Sequence, residues 1–199
     1  MGLVRRLCDL CGSIVGLILL APVMALIAVF IKRDSDGPVI FAQERVGRHG
    51  RPFTLFKFRT MTNGPAAGPA VTAAGDARVT RVGATLRSTK LDELPQLVNV
   101  AKGEMALVGP RPEVRRYVDL WPEEQRRVIL SIRPGITDPM TVNLRREEEL
   151  LGAAPDPEAY YTGVLLPQKA AAYVRYVQSR TLRSDLGLLF TTLWSIARD

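Results

Sequence analysis

The chain has 199 residues, and 27 lysines and arginines against 20 acids give it a formal net charge of +7. That length suits one domain with a real core, and the charge calls for an anionic partner: nucleic acid, anionic lipid or a phosphorylated substrate. Two cysteines and one histidine are too few for a Cys/His zinc centre, and no Gly-x-Gly-x-x-Gly or P-loop pattern supports a Rossmann or Walker nucleotide site.

From Leu10 to Ile31 no residue is charged, a run of about twenty, close to what a bilayer-spanning helix needs. Arg5 and Arg6 precede it, and Lys32 and Arg33 follow. A core helix of a soluble protein would be shorter and show a polar face, whereas this run is apolar all round. A cleaved signal peptide is disfavoured because the run ends in Phe30-Ile31-Lys32-Arg33, a poor cleavage site. Membrane insertion is therefore expected, with Cys8 and Cys11 as ordinary apolar helix residues. Pro22 falls near the middle, where it removes a helix hydrogen bond. Basic residues at both ends give no orientation. A helix that enters one leaflet, bends at Ala21-Pro22 and returns to the same face explains both features. From the residues alone a kinked span stays equally open.

Val39–Gln43 and Phe53–Arg59 are β-prone runs joined through Gly47-Arg48-His49-Gly50, which predicts a hairpin. Lys57 and Arg59 would share one strand face, either solvated or facing phosphate or membrane. His49, in the turn, reads as a surface residue. Residues 62–77, rich in Gly, Ala and Pro, read as a loop. Val82–Leu86 predicts a short helix or turn.

The stretch from Ala77 to Pro112 is the most informative. Adjacent carboxylates, Asp92 and Glu93, stand among Arg81, Arg87, Lys90, Lys102 and Arg111. Acids inside a basic segment suit phosphate chemistry: cations hold phosphate oxygens, and a carboxylate binds a divalent metal or attacks phosphorus. The plainer reading makes Asp92 the N-cap of a helix with Pro95 in its first turn and Lys102-Gly103 at its end. On residues alone that reading is the better one. Gly109-Pro110-Arg111-Pro112 and Arg133-Pro134-Gly135 are stiff turns, each presenting an arginine suited to a bidentate phosphate contact or simply to solvent. Short surface helices are expected over Arg145–Leu151 and Glu158–Tyr161, and a longer one over Pro167–Arg180. Leu186–Ile196, with Trp194, is apolar enough for a core helix or for one lying on headgroups.

Taken together, these pieces resemble the bacterial sugar transferases, the monotopic polyprenyl-phosphate phosphoglycosyl transferases. The resemblance runs over nearly the whole chain. It includes the proline-centred apolar segment and Phe56-Lys57-Phe58-Arg59-Thr60-Met61, and is strongest in Thr80-Arg81-Val82-Gly83, Leu91-Asp92-Glu93-Leu94-Pro95-Gln96-Leu97, Asn99-Val100, Gly103-Glu104-Met105, Gly109-Pro110-Arg111-Pro112 and Arg133-Pro134-Gly135-Ile136-Thr137. It implies a minimal catalytic unit that moves a phosphosugar from a UDP-sugar to polyprenol phosphate, releasing UMP. Carried over, Asp92 is the nucleophile and the ligand of Mg²⁺, and Glu93 assists. Arg87 and Arg111 hold phosphate, and Arg133 lies nearer the nucleotide. Lys57 and Arg59 are further substrate-binding candidates. Asp138-Pro139-Met140-Thr141-Val142 departs from the family's usual Gly-Trp-Ala-Gln-Val, Tyr173 or a neighbour replaces a frequent aspartate, and Ala21 stands where serine often precedes the proline. These changes bear on the donor sugar more than on the reaction, and the 144–169 segment has no assigned role.

The resulting expectation is an α+β, mainly α protein. Residues 1–33 form a re-entrant membrane helix bent at Pro22. Residues 34–199 form a catalytic domain on the cytoplasmic face of the bacterial inner membrane, with a small β-hairpin and short amphipathic helices. Membrane lipid is an expected partner and nucleic acid is not; oligomeric state is unread. The competing expectation is a membrane-anchored basic binding or scaffold protein without catalysis, which the charge and anchor explain but the acid pair does not.

Overall fold

The computed structural model describes residues 2–62, 75–140 and 147–197. The first element, α1, runs unbroken from Gly2 to Asp34 through Pro22. It is the single described helix long and apolar enough to cross a membrane. Only Ser13, Ile27 and Ile31 are buried along it, while Leu3, Leu7, Ile14, Ile18, Leu19, Leu26 and Phe30 are exposed. The helix does not project from the domain, because hydrogen bonds tie it at both ends. Arg6 donates to the Val100 and Ala101 carbonyls at 2.6 and 2.8 Å, and Asp9 accepts from the Leu107 amide at 3.0 Å. At the other end Asp34 accepts from the Val82 amide at 3.0 Å. Between these points Gly12 and Gly16 bring the backbone against Leu107 and Leu97, and Met24, Ile27 and Ile31 pack with Phe58, Leu86, Leu91 and Leu94.

The expected hairpin is present as β1 (Ile40–Val46) and β2 (Pro52–Phe58), antiparallel, with Ile40 opposite Phe58 and Val46 opposite Pro52. His49 and Gly50 make its turn with positive φ of 59° and 75°. Helix α2 (Arg81–Ser88) starts at Thr80, whose hydroxyl accepts from the Gly83 amide at 2.9 Å. The loop expected over 62–77 lies largely outside the described residues.

The acid pair is not a helix cap. Leu91–Glu93 forms a separate 3₁₀ turn entered through Lys90 at φ 57°, and α3 (Gln96–Lys102) begins only after Pro95. Pro95 cannot donate a backbone hydrogen bond, so it sits at the helix boundary and leaves the acids in a turn of their own. The end at Lys102-Gly103 is as predicted, with Gly103 at φ 85°.

Two strands of three residues, β3 (Ala106–Val108) and β4 (Gly135–Thr137), pair in parallel. This contact joins the two stiff arginine turns. The Gly109 amide donates to Thr137 O and the Gly135 amide to Pro110 O, both at 2.9 Å. A Cβ on Gly135 would lie 2.0 Å from Gly109 N, and one on Gly109 would lie 2.7 Å from Arg133 O. Backbone abuts backbone there, so Gly135→Ala is expected to cost about 3 kcal/mol and to lower Tm by about 6–12 °C, read by thermal unfolding.

Helices α4 (Arg115–Val118) and α5 (Glu123–Ile129) close the main core with α8 (Leu166–Ser179). That core holds Val46, Tyr117, Val118, Trp121, Ile129, Leu165 and Tyr173. The expected surface helices appear as α6 (Glu147–Ala153) and α7 (Pro157–Tyr160), with residues 145 and 146 outside the described residues. The last helix, α9 (Leu182–Ala197), exposes Leu186, Phe190 and Trp194 at four-residue spacing, with Phe190 and Trp194 stacked at 6.2 Å. This apolar stripe faces outward and suits a headgroup interface better than a core.

Candidate active site

Both acids of the 3₁₀ turn are buried, Asp92 at 7% exposure and Glu93 at 8%. Carboxylates this enclosed need partners. Glu93 has them: Arg111 grips it with both terminal nitrogens, Nη1 at 3.3 Å from Oε2 and Nη2 on Oε1, and Lys57 Nζ lies 3.2 Å from Oε1. Lys57 reaches Asp92 only at 3.8 Å, and Asp92 Oδ1 is buried with no hydrogen-bond partner among the described residues.

The two neighbours are therefore shifted in opposite directions. For Glu93, burial alone would raise the pKa, but Arg111 and Lys57 reverse this and hold it far below the usual carboxylate range. For Asp92, burial dominates over Lys57, the Glu93 charge adds to it, and the pKa rises. Burial also lowers the Lys57 pKa against the pull of Glu93, whereas Glu93 raises that of Arg111. Glu93 is thus a fixed anion that orients two cations, while Asp92 keeps an oxygen without a hydrogen-bond partner among the described residues. A basic oxygen held out of water beside two cations can attack an electrophilic phosphorus or bind a metal.

The parts are set by their frames. Strand β2 carries Lys57, the paired turns fix Arg111, and Asn99 locks α3 to β2. The Asn99 amide donates to Thr54 O and Glu104 Oε2, each at 2.7 Å, and its carbonyl accepts from Phe56 N at 3.1 Å. Asn99 and Glu104 thus hold the strand that presents Lys57.

Of the predicted site residues, Asp92, Glu93, Lys57 and Arg111 come together. Arg87, in the last turn of α2, donates to the Thr60 hydroxyl at 3.4 Å. Arg59 is elsewhere: it donates to the Ile31, Ser35 and Asp36 carbonyls and so clasps the C-terminal end of α1. Arg133 donates to Gly103 O at 2.7 Å, at the far end of α3 from the acids.

Behind Arg111 lies a buried polar string that sequence reasoning did not assemble. Asp138, which appeared only as a departure from the family pattern, is 4% exposed and raises the Arg111 pKa alongside Glu93. Tyr173 is fully buried, and its hydroxyl has no partner among the described residues. Burial, Asp138 and Glu113 push its pKa well above the ordinary value. Glu113 accepts from Tyr161 at 2.6 Å and faces Arg45 at 3.7 Å. Lys169 pairs with Glu147 at 2.7 Å. Acidic, basic and phenolic residues far apart in sequence carry no spacing signal, which is why the string was missed.

No group of three or more His, Cys, Asp or Glu side chains gathers into a metal site among the described residues. The described residues therefore show no cage that would hold Mg²⁺ by itself. The unpaired Asp92 oxygen fits a Mg²⁺ that shares one carboxylate with substrate phosphates, the usual habit of this ion.

The bacterial sugar transferase family profile matches residues 1–199. The UDP-glucose:undecaprenyl-phosphate glucose-1-phosphate transferase of Caulobacter vibrioides is 38% identical, with 96% of this chain and 69% of that protein aligned. Exopolysaccharide production protein PSS of Rhizobium leguminosarum bv. phaseoli is 34% identical over 96% of this chain and 94% of its own length. The UDP-N-acetylgalactosamine-undecaprenyl-phosphate N-acetylgalactosaminephosphotransferase of Aeromonas hydrophila is 43% identical over 67% of this chain, and the match spans only 32% of that protein.

Proposed function

The chain belongs to the bacterial sugar transferase family, and on that footing we propose that it is a membrane-bound phosphoglycosyl transferase taking a phosphosugar from a UDP-sugar to polyprenol phosphate. The observation that carries the reading is the asymmetry of the acid pair: Glu93 is locked by Arg111 and Lys57, while a buried Asp92 oxygen has no hydrogen-bond partner among the described residues. In the first step an Asp92 oxygen attacks the β-phosphorus of the donor. The bridging P–O bond breaks, and UMP leaves with the bridging oxygen. In the second step an oxygen of the polyprenol phosphate attacks the aspartyl-phosphosugar. The Asp92–phosphorus bond breaks, which restores the carboxylate and gives the polyprenol-diphosphate-sugar. Two substrates that differ in solubility thereby use one site in turn.

Lys57, Arg111 and Arg87 supply the cations for the phosphate oxygens, which stabilise charge as it shifts from donor to leaving group. Asp92 would hold Mg²⁺, which would supply charge neutralisation for the diphosphate. Chelation with EDTA is expected to abolish UMP release and added Mg²⁺ to restore it.

The same reading puts α1 in the bilayer as a re-entrant helix, with the site on the cytoplasmic face of the inner membrane. Support comes from the bonds that tie both ends of α1 to one domain and from the apolar surface between them. The test of the reaction uses the full chain in nanodiscs without acceptor. Labelled UMP should exchange into UDP-sugar, because the first half-reaction is reversible and needs no lipid. Exchange that occurs only when polyprenol phosphate is also present would sink the covalent scheme. No UMP release from any UDP-sugar with polyprenol phosphate would favour a basic scaffold.

A further inference from the structure

A cavity of about 240 Å³ lies at the opposite end of the domain from the acid pair, between the first turns of α1, strand β3 and the start of α9. Its distance from the chemistry follows from the frame. Arg48, on its rim, is in the hairpin turn, while Lys57 is five residues up β2 from Pro52, about 16 Å along a strand. Helix α3 spans the same gap between Glu93 and Gly103.

The lining is strongly cationic. Arg5, Arg6, Arg48, Arg133 and Arg180 face two acids, Asp9 and Asp185. Asp185 is already committed to Arg5 at 2.9 Å and to the Tyr176 hydroxyl at 2.7 Å, and Asp9 to the Leu107 amide. Three of the arginines are fixed by neutral carbonyls: Arg6 by Val100 and Ala101, Arg48 by Ser131 and Arg133 by Gly103. Those bonds aim the guanidinium groups without cancelling their charge. Arg5 Nη2 is buried with no partner among the described residues. Burial, followed by the charges of Arg6 and Arg48, lowers the Arg133 pKa against the opposing pull of Asp9. The remaining wall is apolar, built by Leu182, Leu186 and Leu189 of α9. It continues onto the exposed stripe of Leu186, Phe190 and Trp194.

We propose that this cavity binds the phosphate of an anionic glycerophospholipid, with an acyl chain laid along the leucines of α9. A soluble phosphate would use the arginines but not the apolar wall, and a neutral lipid would use the wall but not the arginines. The site goes beyond the transferase reading, since it contains none of the reacting groups. It would pin the N-terminal end of α1 and α9 to one lipid.

The test is native mass spectrometry of the full chain in neutral detergent with equal phosphatidylglycerol and phosphatidylcholine. One phosphatidylglycerol should be retained per chain, in about tenfold or greater preference. Arg48→Gln with Arg133→Gln should abolish that preference, whereas Arg127→Gln with Arg175→Gln, the same charge change at exposed sites, should keep it. Should the first pair not fold, Arg48→Gln alone, at an exposed side chain, gives the same reading. Leu186→Gln with Leu189→Gln should also reduce retention, and glycerol phosphate should bind at least about a hundredfold more weakly than the whole lipid. Equal retention of the two lipids, equal loss in the two arginine pairs, or glycerol phosphate binding as tightly as the lipid would each overturn the proposal. Flotation with pure phosphatidylcholine vesicles reports α1 insertion separately.

Discussion

Asp92→Asn is expected to reduce UMP release by about 10⁴-fold or more, the scale seen when a covalent nucleophile is removed, and to leave the protein folded with a Tm equal to or above that of the parent. An amide has the shape of the carboxylate but cannot form the phospho-intermediate. The stability half follows from burial. Asp92 has a raised folded pKa because desolvation outweighs Lys57. Protonation therefore favours the fold: that contribution is complete below the unfolded value, about 3.9, and is lost as pH rises through the folded value. At neutral pH the ionised Asp92 is a net cost, which asparagine removes. A gain of about 1 kcal/mol would raise Tm by about 2–4 °C for a chain of this size. A large fall in Tm would mean that Asp92 is structural.

Arg111→Gln should lower turnover about 10²–10³-fold, the cost of deleting one preorganised charge contact, and should also destabilise the fold by about 2–3 kcal/mol. Breaking a fully buried ion pair costs about 3–5 kcal/mol. The lower figure applies because Arg111 leaves 31% of its side chain exposed and Lys57 still faces Glu93. Glu93 has a depressed folded pKa, so its contribution is present above the unfolded value of about 4.3 and is lost as pH falls through the folded value. Without Arg111 the folded value moves up, so that loss should be smaller and complete at higher pH. Parallel thermal melts of wild type and variant between about pH 3 and 7 check this. Identical pH dependence in the two proteins would remove Arg111 from its assigned role.

How much of this was legible differs from residue to residue. The apolar N-terminal helix and the β-hairpin were readable because each is a local pattern: an uncharged run, and alternation around a Gly-rich turn. Asp92 and Glu93 were readable as chemistry only through the family resemblance, since the local pattern argued for a helix cap and Pro95 in fact delays the helix. The two arginine turns looked alike, yet Arg111 meets Glu93 while Arg133 meets a backbone carbonyl. The parallel pairing of β3 and β4 decides that difference, and three-residue strands 29 positions apart leave no periodicity to detect. Arg59 looked like a partner of Lys57 by alternation, but the carbonyls of Ile31 in the last turn of α1 and of Ser35 and Asp36 just beyond it claimed it.

The ties of α1 also set an order of events during synthesis. Arg5 waits for Asp185, 180 residues later, and Asp9 for Leu107, 98 residues later. At about 5–20 residues per second the first of these partners lags by about 10–40 s. Until Val100 and Leu107 have also been made, an apolar helix is complete while the surface that will hold it does not yet exist. The bilayer is the available solvent, so the domain should assemble onto a helix already seated in lipid rather than deliver a finished helix to the membrane.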